Sequence, residues 1–145
     1  MDSRRVCLVV DDDPSMLSMV VAMLNFVFNQ GIGARASEVS VLRASSFQGA
    51  AEQIRQLSVS GDKVRLVLVT DNDLGDGTGV DLTTRVRDAA FAASWSMLQS
   101  GSARAELEQK YPIVKTLPEE CFAQKPVPVK RYLERLPYMC SVWDL

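Results

Sequence analysis

Val64–Leu82 reads VRLVLVTDNDLGDGTGVDL, and the fold follows from the way this stretch changes character. Val64, Leu66, Val67, Leu68 and Val69 make a near-continuous apolar, β-branched run, the pattern of a strand buried on both faces of a sheet. The run stops in acid, at Asp71, Asp73 and Asp76, with Gly75, Gly77 and Gly79 interleaved. Glycines at that density allow positive φ and close backbone approach, so a tight loop follows the strand. Open α/β sheets bind their ligands just outside the carboxyl ends of the strands. Asp71 is the first carboxylate past this strand and is the first candidate for chemistry.

A second acidic loop stands upstream. Val6–Val10 is a short apolar run, followed by Asp11, Asp12, Asp13 and Pro14 and then by a helical segment to about Phe28. Asp before Pro is a good N-cap and N1 pair, which assigns Asp13 to capping. Asp11 and Asp12 are left at the strand's carboxyl end without that duty. Adjacent carboxylates repel and call for a cation or hydrogen-bond partners.

The rest of the chain alternates in the same way. Val39–Ala44 and Ser94–Gln99 read as strands, the second weaker, and Cys121–Gln124 as a short last strand. Helices are expected from Ser45/Ser46 through Leu57, from Val80 to Ala90, weakly over Ser102–Lys110, and over Val129–Leu136. In that last helix Val129, Tyr132, Leu133 and Leu136 repeat at helical spacing. Gln30–Ser37, Ser58–Lys63 and Pro112–Pro118 read as connections, and Pro137–Leu145 as an apolar tail. The expectation is a single α/β domain over residues 1–145, with a core at about 5–136. Its architecture is a flavodoxin-like, doubly wound, five-stranded parallel sheet of order 2-1-3-4-5 with helices on both faces. The switch point of that order lies between strands 1 and 3, so Asp11, Asp12 and Asp71 converge.

Composition removes whole classes of function. The chain of 145 residues has a net charge of −2, no histidine and 47% hydrophobic residues. Histidine metal sites, histidine bases and Ser-His-Asp triads are excluded. No basic run offers a footprint for nucleic acid. Cys7, Cys121 and Cys140 form no CxxC pair and read as free thiols in a reducing compartment. The MDSRR start runs directly into a strand, without a signal-peptide pattern, and no segment is long and apolar enough to span a bilayer. The reading is a soluble, cytoplasmic protein.

Three carboxylates at one sheet edge make a hard, oxygen-rich pocket suited to Mg²⁺. Ser100 ends the fourth strand with a hydroxyl, Gly101 beside it leaves room for a ligand oxygen, and Lys125 ends the fifth with a point charge. Such a set suits phosphoryl transfer, in which a carboxylate can itself be the nucleophile.

VCLVVDDDPSM, LVTDNDLGDGTGVDL, AQKPV and SSFQGAAEQIRQL together resemble the response-regulator receiver domains of two-component signalling, over essentially all of Arg5–Leu136. The resemblance implies Asp71 as phosphoacceptor, with Asp11 and Asp12 as the magnesium pair and the backbone carbonyl of Asp73 completing the metal's protein ligands. It implies Lys125 as the partner of the phosphoryl group, Ser100 as the switching hydroxyl, and Phe122 in place of the family's rotating aromatic. Thr116 is the rival hydroxyl, but it stands too far past Asp71 for the one helix and strand between. Gly75 departs from the family, which commonly has proline there. So do the long Pro112–Pro118 segment and the weak fourth helix, which point to a remodelled output surface.

The expected function is a stand-alone phosphoacceptor that takes a phosphoryl group from a histidine kinase or histidine phosphotransfer protein. It signals by protein contact and catalyses only its own phosphorylation and dephosphorylation. A phosphatase like the haloacid dehalogenases shares the Asp71-x-Asp73 motif, but no further acidic pair follows Lys125. A phosphorylation-independent interaction module is the other alternative. The first helix carries an apolar arc wider than one sheet face buries, with only Ser15, Ser18, Asn25 and Asn29 as its polar stripe. Met16, Met19, Met23 and Phe26 are therefore expected to face a partner, unless the Tyr138–Trp143 tail covers them. A homodimer is left open.

Overall fold

The computed structural model describes residues 3–145; Met1 and Asp2 of the MDSRR start lie outside the described residues. Five parallel strands form one sheet in the order β2-β1-β3-β4-β5. They are β1 (Arg4–Val10), β2 (Val39–Ala44), β3 (Val64–Asp71), β4 (Ala93–Ser100) and β5 (Phe122–Gln124). The helices are α1 (Pro14–Gly31), α2 (Phe47–Val59), α3 (Gly79–Asp88), α4 (Arg104–Lys110) and α5 (Val129–Trp143). The flavodoxin-like order expected from the alternating elements is the one observed.

Strand alternation divides the core. Cys7, Val9, Val67, Val69 and Met97 meet α1 and α5 on one face, packing on Val20, Leu24, Phe28, Tyr132 and Trp143. Val6, Leu8, Val10, Leu66 and Leu68 meet α2 and α3 on the other, against Ile54, Leu57, Leu82 and Val86. A smaller cluster of Val80, Leu98, Leu107 and Val114 lies under α4. The helices are capped as their sequences require: the carboxylate of Asp13 accepts from Ser15 N and Met16 N, and the hydroxyl of Ser46 accepts from Gly49 N at 3.0 Å.

The C-terminus corrects one expectation. The segment read as a tail from Pro137 is the second half of α5, and the core extends past residue 136. Tyr132, Leu136, Met139, Val142 and Trp143 are all buried, a stripe at helical spacing that runs straight through the proline. Pro137 sits on the exposed side and costs the helix one hydrogen bond. The buried stripe and two long-range clamps outweigh that loss: Arg5 Nε donates to Trp143 O at 2.6 Å and Arg65 donates to Val142 O at 2.9 Å. The Trp143 indole donates to Val6 O at 3.1 Å and meets Phe28 edge-on, with centroids 5.2 Å apart.

Two connections are more ordered than expected. Gly33–Glu38 is a 3₁₀ turn. Pro112–Pro118 holds a 3₁₀ turn over Pro112–Thr116, and another follows at Glu119–Cys121. The guanidinium of Arg104 fastens this segment by donating to the carbonyls of Val114, Leu117 and Pro118.

Candidate phosphoacceptor site

The strand ends place the acidic residues. β1 and β3 are neighbours in register, Val10 opposite Thr70, so the loops after them open at the same edge. Asp11, Asp12 and Asp71 each offer an oxygen, and these lie within 4.8 Å of one another. Asp11 and Asp71 are 2% and 9% exposed, whereas Asp12 is open to solvent. Asp11 is held by its own loop, its carboxylate accepting from Asp13 N at 2.9 Å.

Lys125, at the end of β5, reaches both buried acids. Its Nζ lies 3.0 Å from Asp71 Oδ1 and 3.2 Å from Asp11 Oδ2. Burial raises the Asp71 carboxyl above the usual carboxylate range and Asp11 adds to this, while Lys125 partly opposes both. Burial pulls Lys125 down, but its bond to Asp71 and the charges of Asp71 and Asp11 leave its ammonium raised. One lysine facing three carboxylates leaves an excess of negative charge at the strand edge. A divalent cation with hard oxygen preferences fits that excess and that donor set.

The loop after Asp71 needs its glycines at two positions. Gly75 turns with φ of +78°, the left-handed region that side chains disfavour. A Cβ at Gly79 would stand 2.4 Å from the Asp71 carbonyl, so only glycine lets α3 start this close to the phosphoacceptor candidate. Gly79 N donates to Asn72 O at 2.8 Å, and Val80 N to the Asn72 side chain at 3.2 Å.

A cavity of about 440 Å³ opens beside Asp71 and is bordered by Asp73, Thr78, Ser100 and Gly101. Ser100 is 6% exposed, and its hydroxyl accepts from Ser102 N at 3.1 Å. Thr116 is outside this cavity. Phe122 is also outside it and packs against the Leu98–Leu107–Val114 cluster. The far wall is Glu106, Lys110 and Tyr111, supplied by α4 and its end. No motif announced these three, and only the packing of a short helix over the strand ends brings them here.

Two further groups went unread in the sequence. Asp76 accepts from Phe47 N at 2.8 Å and Gln48 N at 3.1 Å, tying the loop after β3 to the first turn of α2. Gln99 and Tyr132, 2% and 1% exposed, form a buried pair at 2.6 Å behind Lys125. On α1, Met19 and Phe26 stand 44% and 52% exposed, while Met16 and Met23 are half-buried. The end of α5 covers Phe28 on another side of α1; Met23 packs against the same core, and Met19 and Phe26 are the two of the four that stand open.

No protein-family model matches the chain, and no curated protein matches it. Solved structures do. The signal receiver domain of a DNA-binding response regulator protein (merR) from Colwellia psychrerythraea 34H superposes with a TM-score of 0.69 at 14% identity, covering 94% of this chain and 98% of that one. A response regulator receiver protein from Pseudomonas putida gives 0.62 at 21% identity, covering 95% and 99%. A receiver domain protein from Clostridium thermocellum gives 0.62 at 18%, covering 94% of each chain. The chain has the fold of the response-regulator receiver domains.

Proposed function

We propose that this protein is a phosphoacceptor that receives a phosphoryl group on Asp71 from a phosphohistidine donor and passes its state on by protein contact. The observation that carries the reading is the meeting of Asp11, Asp12, Asp71 and Lys125 at one strand edge, beside an open cavity. An Asp71 carboxylate oxygen attacks phosphorus, the P–N bond to the donor imidazole breaks, and its electron pair leaves with the imidazole nitrogen. Lys125 faces the charge on the phosphoryl oxygens, and Ser100 offers its hydroxyl to one of them. Asp11, Asp12 and Asp71, with the Asp73 carbonyl, are the residues that would hold Mg²⁺. Bound there, it supplies neutralisation of the phosphoryl charge.

The donor is a histidine kinase or histidine phosphotransfer protein, and it docks on Met16, Met19, Met23 and Phe26. This face adjoins Lys125 and has methionines that repack against different shapes. A surface there holds the phosphohistidine in reach of Asp71.

Incubation with acetyl phosphate and MgCl₂, followed by intact mass, tests the chemistry. The native chain gains the mass of one phosphoryl group, and Asp71→Asn gains none. Label that persists on Asp71→Asn would move the acceptor to Asp73 and overturn the assignment.

A further inference from the structure

We infer that the cavity between α1 and the start of α5 binds a neutral, ring-sized apolar molecule that carries one hydroxyl group. The cavity holds about 220 Å³. An apolar cavity of about 150 Å³ is enough to take benzene, so a ring with one substituent fits. Met16, Val20, Met23 and Val127 wall it, and its floor is Gln99 and Tyr132. Unbranched thioethers adapt to the outline of what they enclose, which suits a pocket that admits a ring.

The floor gives the site its polarity. Gln99 and Tyr132 are 2% and 1% exposed, and the amide donates to Tyr132 Oη at 2.6 Å. Among the described residues nothing further bonds either group: the phenol has a proton of its own to give, and the amide oxygen has no donor. A polar pair at the floor of an apolar cavity, with hydrogen-bonding capacity to spare, favours a ligand that completes it. A hydroxyl both donates and accepts, so it meets the pair whichever way the Gln99 amide is turned. A charged group is disfavoured, because the walls are apolar and the one ion nearby, Lys125, is already shared between Asp11 and Asp71.

The inference does not depend on the phosphoacceptor reading. Benzyl alcohol is the probe and toluene its control, titrated against the chain labelled at its methionine methyls. Saturable shifts at Met16 and Met23 are expected with both compounds. Val127→Trp, which adds bulk to one wall of the cavity, should abolish them while leaving labelling by acetyl phosphate unchanged. Tyr132→Phe should weaken benzyl alcohol about threefold to tenfold, the worth of one hydrogen bond, and change toluene less than twofold. If Tyr132→Phe does not fold, Gln99→Met takes its place under the same criterion. Shifts that never saturate would assign the cavity to ordered water or a partner's side chain. That outcome, binding that survives Val127→Trp, or equal loss of both probes would overturn the inference.

Discussion

Lys125 Nζ lies 3.0 Å from Asp71 Oδ1, so a residue at the sheet's outermost strand reaches across β4 to the end of β3. The same ammonium is 3.2 Å from Asp11, and its removal leaves two buried carboxylates facing each other. Replacing it with methionine keeps most of the stem and deletes the charge. In metal-free buffer Lys125→Met should lose on the order of 2 kcal/mol, less than a fully buried pair costs because the lysine is partly solvated. Added Mg²⁺ should then raise the variant's melting temperature more than that of the native chain. Equal melting temperatures without metal would show that the ion pair contributes nothing.

Trp143 closes the core from the far end of the chain. It is fully buried against Phe28 and bonds the first strand through Val6 O. Trp143→Ala should cost about 3–5 kcal/mol, the range for deleting a buried aromatic. Trp143→Phe should cost less, since it keeps one aromatic ring while losing the donor to Val6 and part of the indole's volume. Chemical denaturation measures both, and a Trp143→Ala variant as stable as the native chain would mean that the end of α5 is dispensable.

Asp76 links stability to acid. Its carboxyl is held below the usual carboxylate range by the backbone amides of Phe47 and Gln48. A group whose folded value is depressed stabilises the fold above its unfolded value, and this is lost as pH falls through the folded one. Asp76→Asn should therefore melt a few degrees lower at pH 7. That gap should narrow only below about pH 4, where the unfolded carboxyl takes up its proton. A gap constant down to strongly acidic pH would assign the effect to packing rather than to the carboxylate.

The sheet and its acidic edge were legible because each rests on local pattern. The apolar runs at Val6–Val10 and Val64–Val69 mark buried strands, and the acids that end them fall at the switch point of the strand order. The last helix was legible only to Leu136, because Pro137 reads as a stop. The periodicity of Met139, Val142 and Trp143 was present, but what sustains the helix is Arg5 and Arg65, far upstream in the chain. The Pro112–Pro118 segment failed for the same reason. Its order comes from one side chain, Arg104, bonding carbonyls 10 to 14 residues away. The Gln99–Tyr132 pair spans 33 residues, and no spacing rule connects its members.

The exposed face of α1 supplies the last prediction. Met19 and Phe26 lie seven positions apart on one side of the helix, 44% and 52% exposed, and a donor docked there would bury both. Phe26→Glu and Met19→Glu should slow transfer from the cognate phosphohistidine protein severalfold, because an apolar contact is replaced by a charge to be desolvated. Acetyl phosphate needs no docking, so its labelling of Asp71 should proceed at the native rate. The ratio of the two rates is the informative quantity. A variant slowed equally with both donors and melting lower would show that these side chains hold α1 in place. A variant unaffected with either would move the docking surface elsewhere on the molecule.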